Sequence, residues 1–85
     1  MAQRRVTVQS EVGLHARPAA LFVGAAAESD GEVTVAKGEG QAVSAKSILA
    51  VMGLDVRKGD EVVITADGDG AEQMLDRLAE IADAG

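Results

Sequence analysis

The chain has 85 residues, no cysteine and a single aromatic residue, Phe22, and its 14 acidic and 8 basic residues give a formal net charge of −6. This length suits one small domain over residues 1–85, too small to enclose a deep substrate pocket. The acidic charge excludes nucleic-acid binding, which needs a basic surface and stacking aromatic groups. The lack of cysteine excludes disulfides and thiolate metal sites. No apolar run approaches the roughly 20 residues that span a bilayer, so we expect a cytoplasmic protein.

The spacing of apolar residues predicts seven elements in the order βαββαβα. In chain order they are strand 4–9, helix 18–28, strands 32–36 and 41–45, a short helix from 46 or 47 to about 53, strand 61–66 after a turn at 57–60, and a final helix from about 71. Val6 and Val8 share one face of the first strand because side chains alternate along a strand. The element order indicates an α+β fold, in which an antiparallel sheet carries its helices on one face.

The two longer helices have clear inner and outer faces. Core positions of the first are Ala19, Phe22 and Ala26, and its outward positions are Ala20, Gly24 and Ala27. The last helix has an unbroken apolar stripe of Ala71, Met74, Leu75, Leu78, Ile81 and Ala82, with Glu72, Asp76, Arg77 and Glu80 outside it.

Residues 13–19, Gly-Leu-His-Ala-Arg-Pro-Ala, contain the chain's single histidine and its single proline. Proline is favoured at the first helical position, so Pro18 places His15 just before a helix whose free N–H groups and dipole suit an anion. Arg17 adds a guanidinium suited to phosphate. A neutral imidazole, with an ordinary pKa of about 6.5, is a competent nucleophile at neutral pH. The spacing therefore predicts that His15 accepts a phosphoryl group and that Arg17 stabilises it.

Acidic residues are absent from two segments, 12–27 and 40–54, which contain His15, Arg17 and Lys46. If these segments are neighbours, they form a neutral-to-basic, largely apolar face that suits an acidic protein partner and leaves a phosphoryl group unopposed. The alternative is that alanine-rich helices contain few acids for no functional reason.

Residues 13–19, together with Ser-Ala-Lys-Ser-Ile-Leu at 44–49 and Val-Met-Gly-Leu at 51–54, resemble the HPr family of histidine-containing phosphocarriers. The resemblance covers nearly the whole chain. It implies an open-faced β-sandwich of four antiparallel strands under three helices. It also implies that enzyme I phosphorylates His15 on Nδ1 with phosphoenolpyruvate, and that the group passes to enzyme IIA components of the sugar phosphotransferase system. Such a protein is a phosphoryl relay with a covalent phosphohistidine, monomeric and without cofactor or metal, rather than an independent catalyst.

The resemblance also assigns supporting residues. Ala16, a position where relatives have alanine or threonine, and Pro18 support the helix start. The implied partner-docking residues are Ala20, Gly24, Lys46, Ile48, Leu49 and Met52, while Val51 points to the core. For Ile48 and Met52, which fall on one helical stripe, ordinary core packing is the alternative. Leu49 is the best candidate for an exposed docking residue.

Ser47 has two possible roles. In some family members the serine at this place is phosphorylated by an HPr kinase/phosphorylase and the product binds transcriptional regulators; the alternative is an ordinary helix cap. The 37–40 hairpin has one residue more than many relatives, which shifts this serine by one. A nitrogen-type or regulatory paralogue, acting as a protein-interaction module with His15 as a contact or pH sensor, is the second functional hypothesis. The presence of His15 argues against the paralogues that have lost this histidine.

Overall fold

The computed structural model describes residues 2–9, 11, 13–14 and 16–84, without the side chains of residues 16 and 84. The elements are β1 (Ala2–Thr7), α1 (Ala16–Ala26), β2 (Val33–Lys37), β3 (Val43–Ser44), α2 (Ile48–Gly53), β4 (Glu61–Ala66) and α3 (Ala71–Ala84). Their order is the βαββαβα order that the sequence predicts. No helix in this described part of the chain is both long and apolar enough to cross a bilayer.

The four strands form one antiparallel sheet in the order β1-β4-β2-β3. Strand β4 is central: Ile64 pairs with Arg4 of β1 on one side and with Val35 of β2 on the other. Helix α3 packs against β1 and β4, and α1 packs against both α2 and α3. The α+β prediction of an open-faced sandwich is therefore confirmed.

The core lies between the helices and the inner face of the sheet. Side chains alternate along β4, where Val62, Ile64 and Ala66 are buried and the intervening residues are not. Phe22 is fully buried at the centre of α1. On α3 the predicted stripe is buried or half-buried and its four charged neighbours are exposed. Binary patterning at the two periods thus placed the core correctly.

Helix α1 begins at Ala16, two residues before the predicted start, so Pro18 is its third residue and not its first. Proline is tolerated there because the first backbone N–H groups of a helix have no intrahelical acceptor. The helix ends at Ala26, two residues before the predicted end. The N–H groups of Glu28 and Ser29 donate to carbonyls three residues back, a tighter turn that closes the helix.

Strand β3 is shorter than predicted, with two residues in place of 41–45. The turn after β2, in which the Gly40 N–H donates to the Lys37 carbonyl, leads into a connection that extends through residue 42 before pairing resumes. Strand β1 begins and ends two residues before the predicted bounds, whereas β4 matches its prediction.

Candidate functional site

His15 lies outside the described residues, and the described part of the site consists of the segments on either side of it in the chain and of α2. Gly13 has φ +64, and a Cβ at this position would lie 2.1 Å from the Val56 carbonyl oxygen and 2.8 Å from the Arg57 Cα. The Leu14 N–H donates to the same Val56 oxygen at 3.1 Å, and the Leu14 side chain is fully buried. Only glycine fits this close approach without strain. The segment that leads into His15 is therefore fixed against the 56–57 backbone.

Arg17 is the second residue of α1 and is exposed. Its guanidinium makes no hydrogen bond or ion pair with any residue that the structure describes. Because Arg17 is in the first turn of α1, its cation lies near the positive end of the helix dipole, an arrangement that typically costs a few tenths of a kcal/mol. No acidic residue in that turn offsets the cost. An anion bound at the helix start would offset that cost. The neighbouring Pro18 is buried, so it supports the helix start from the core side.

Ser47 is the N-cap of α2. Its backbone is extended, with φ −109 and ψ 114, and its hydroxyl oxygen accepts a hydrogen bond from the Ala50 N–H at 3.2 Å. This satisfies one of the N–H groups that the helix leaves without a carbonyl partner. The capping interpretation is confirmed, and phosphorylation of Ser47 stays a prediction.

Lys46 is exposed, but its ammonium group is engaged within the chain. Its Nζ donates to the Ser29 carbonyl at 2.8 Å, and its backbone N–H donates to the Ser44 hydroxyl at 3.2 Å. Ser29 follows the end of α1, where a cation is favourable for the helix dipole. Lys46 therefore joins the exit of α1 to the entry of α2.

The two acid-free segments lie side by side, because α1 and α2 pack together. Four large apolar side chains on them are exposed: Leu21 (53%), Ile48 (37%), Leu49 (82%) and Met52 (38%). Ala20 and Gly24 are exposed on α1, and Val51 is the fully buried residue of α2. We call the exposed set of Ala20, Leu21, Gly24, Ile48, Leu49 and Met52 the apolar face.

The exposures on the apolar face decide between docking and core packing for Ile48 and Met52, and they add Leu21 to the candidate docking residues. Ile48 and Met52 are each more than one third exposed, so core packing does not account for them. Leu21 was not among the predicted docking residues. Its signal was available in the sequence, because Leu21 lies one turn from both Arg17 and Gly24 on the outward side of the helix. The described residues include no group of three or more histidine or carboxylate side chains that could hold a metal ion.

Comparison with known proteins identifies the family. The family model described as "PTS HPr component phosphorylation site" matches residues 2–84. The chain is 49% identical over 85 residues to the phosphocarrier protein HPr of Streptomyces coelicolor, covering 100% of this chain and 91% of that protein. It is 43% identical over 79 residues to the HPr-like protein Crh of Bacillus subtilis, covering 93% and 92%.

Among solved structures, the phosphocarrier protein HPr of Bacillus anthracis superposes with a TM-score of 0.90 at 40% identity, covering 96% of each chain. Sequence and fold thus agree over nearly the full length. The chain therefore belongs to the HPr family, the phosphocarriers that act between enzyme I and enzyme IIA of the phosphotransferase system.

Proposed function

We propose that His15 is the phosphoryl acceptor of this phosphocarrier and that Arg17 stabilises the transferred group. The observation that supports this most strongly is the state of Arg17. It is exposed in the first turn of α1, two residues after His15, and has no described partner of opposite charge. A phosphoryl group on His15 would supply the missing anion and would meet the free N–H groups of the same helix start.

The reaction is a transfer between two proteins. A neutral ring nitrogen of His15 attacks phosphorus, the bond between phosphorus and enzyme I breaks, and a phosphoramidate forms on His15. Attack by a nucleophile of enzyme IIA then releases the imidazole again. Phosphoryl transfer through a loose transition state requires mainly positioning and electrostatic support. The fixed Gly13–Leu14 segment and Arg17 are this chain's contributions to those two requirements.

We propose that the apolar face is the surface that docks enzyme I and enzyme IIA. Exposed apolar side chains at the centre of a contact, surrounded by a polar rim, carry most of the binding energy in protein interfaces. Leu49, at 82% exposure, is the expected anchor. Lys46 supports this surface by holding α1 and α2 together, since its ammonium group is bonded to Ser29.

Ser47 offers a route to regulation. A phosphate on its hydroxyl would add nearly two negative charges beside the apolar face. The start of a helix tolerates an anion, so we expect α2 to stay folded and the docking of acidic partners to weaken. Kinase recognition and binding to transcriptional regulators are part of the same proposal.

The remaining expectations are a monomer of one domain over residues 1–85, in the cytoplasm. One continuous core, into which α1, α2, α3 and the sheet all pack, supports the single domain. The regulatory alternative draws on the likeness to Crh, and the presence of His15 favours the relay over it.

The direct test is phosphorylation in solution. We expect the chain, incubated with phosphoenolpyruvate and enzyme I, to gain one acid-labile phosphate, and His15→Ala to gain none. Equal labelling of both chains, or labelling of neither, would contradict the proposal. Arg17→Gln is the second variant: it should still be labelled, but more slowly, because it keeps the nucleophile and loses the cation.

A further inference from the structure

The segment that leads into His15 packs against a backbone held by a network of charged residues. We call this network, which consists of Lys37, Asp55, Arg57 and Asp60, the charged framework. Gly13 and Leu14 rest on the backbone of Val56 and Arg57, through the 3.1 Å hydrogen bond and the close approach at Gly13. The position of Leu14, and with it the attachment point of the next residue, therefore depends on where the Val56 backbone lies.

Lys37 holds that backbone from both ends. Its Nζ donates to the Asp55 carbonyl at 3.0 Å and pairs with the Asp60 carboxylate at 3.3 Å. The same Asp60 carboxylate accepts the Arg57 N–H at 2.9 Å. The Lys37 ammonium group thus links the Asp55 carbonyl to the Asp60 carboxylate, and that carboxylate in turn holds the Arg57 backbone.

The restraint acts at a left-handed backbone position. Asp55 has φ 54, a region that non-glycine residues seldom adopt, although aspartate is among those that adopt it most readily. The Arg57 guanidinium contacts the Asp55 carboxylate at 2.9 Å, and hydrogen bonds from the Arg57 N–H and from Lys37 lower the pKa of Asp60 below its ordinary value. By contrast, Lys37 ends β2, which is paired along its length with the central strand. The framework therefore transmits the rigidity of the sheet to the 55–57 backbone.

We propose that Lys37 is a positioning residue for phosphoryl transfer, acting through Asp55, Val56 and Leu14 on the placement of His15. This rests on the proposed role of His15 as the acceptor. Lys37 touches neither substrate nor partner in this account; its contribution is to keep the acceptor in the geometry that attack requires, where small displacements lower the rate strongly.

The test compares three variants. Lys37→Met removes the ammonium group and keeps the length of the side chain, and Lys37→Arg restores a cation. Arg77→Met is the matched control, since it removes an ion pair of two hydrogen bonds, to Glu28, at the opposite end of α1. For each chain one measures amide hydrogen exchange at Leu14 and the rate of phosphorylation by phospho-enzyme I, separated into kcat and KM, with urea unfolding to confirm folding.

We expect Lys37→Met to exchange the Leu14 amide faster and to lower kcat by about threefold to tenfold with KM unchanged. Lys37→Arg should recover most of the Leu14 amide protection and most of kcat, and Arg77→Met should change neither quantity. A Lys37→Met chain that matches Arg77→Met in both readouts would overturn the proposal, as would a loss confined to KM. If even the unaltered chain takes up no phosphate, the role of His15 fails, and Leu14 exchange alone then decides whether Lys37 positions this segment.

Discussion

Two surfaces of this small molecule use charge in opposite ways. Around β1 and α3, charged side chains meet partners within the chain: Arg4 contacts Glu72 and Asp76, and Arg77 makes two hydrogen bonds to Glu28. On the acid-free side, Lys46 donates to a backbone carbonyl, Arg17 has no partner among the described residues, and the apolar face is exposed.

The difference separates what stabilises the fold from what remains available to a partner. Charged side chains that are already paired within the chain contribute little to binding another protein. Exposed apolar side chains and a cation at the positive end of a helix dipole are unfavourable in the free protein, and a bound partner or phosphoryl group would relieve both. Substitutions on the two surfaces should therefore move different quantities.

Two neighbouring residues of α1 lie on opposite sides of the helix, Phe22 in the core and Leu21 on the apolar face. Phe22→Ala empties a fully buried position and should lower the free energy of unfolding by about 3 to 5 kcal/mol. Leu21→Ala, on the apolar face, should change it by no more than about 0.5 kcal/mol. Urea unfolding measures both. Similar losses for the two variants would mean that Leu21 belongs to the core and not to a free surface.

The second comparison concerns two glycines with positive φ. Gly13→Ala introduces both backbone strain and overlap with the Val56 carbonyl and should cost about 2 to 4 kcal/mol. Gly59→Ala, at φ +92 with no neighbouring atom within 4 Å, should cost only about 1 kcal/mol. Equal losses would show that close packing against Val56 does not fix the segment before His15.

The third prediction tests the apolar face directly. Leu49→Asp should raise the KM for phosphorylation by enzyme I about thirtyfold, equivalent to about 2 kcal/mol of binding, and leave the free energy of unfolding within about 0.5 kcal/mol. Gln73→Asp adds the same charge to the exposed side of α3 and is the control. Equal KM values for the two variants would show that docking lies elsewhere.

The smallest effect is the pH dependence of the paired surface. The hydrogen bonds and charge of Arg77 lower the pKa of Glu28 from its ordinary 4.5. The ionised carboxylate is thus favoured in the folded state, so the pair stabilises the fold above that value and stops doing so as pH falls through the lower folded pKa. Urea unfolding between about pH 7 and about pH 3 should show a shallower decline for Arg77→Met than for the unaltered chain. Parallel declines would contradict the assignment.

Local pattern was sufficient for some elements. β4 and the start of α3 follow the sequence prediction because their apolar residues recur at one clear period. Phe22 could be placed in the core for the same reason. The outward positions of α1 followed from the inward ones, so exposure of Ala20 and Gly24 was predictable too.

Other features depend on contacts between segments distant in sequence. The length of β3 is set by where the hairpin rejoins β2, and the strand pattern at 41–45 cannot show that. From the sequence, Lys46 is an ordinary surface cation. Its hydrogen bond to Ser29, which lies 17 residues away in the chain, forms only in the fold. The contacts of Lys37 could not be predicted either, because Asp55 and Asp60 are distant in sequence and approach it only in the folded chain. Pro18 was misplaced by two residues because proline is compatible with every position of a first turn.

Locating the phosphate on the chain tests whether His15 is the acceptor. The chain is phosphorylated with phosphoenolpyruvate and enzyme I, kept at alkaline pH, digested, and sequenced by tandem mass spectrometry. We expect a single phosphate on His15, in the peptide that contains Arg17 or ends at it. A phosphate on Ser47, or on any residue outside that peptide, would contradict it.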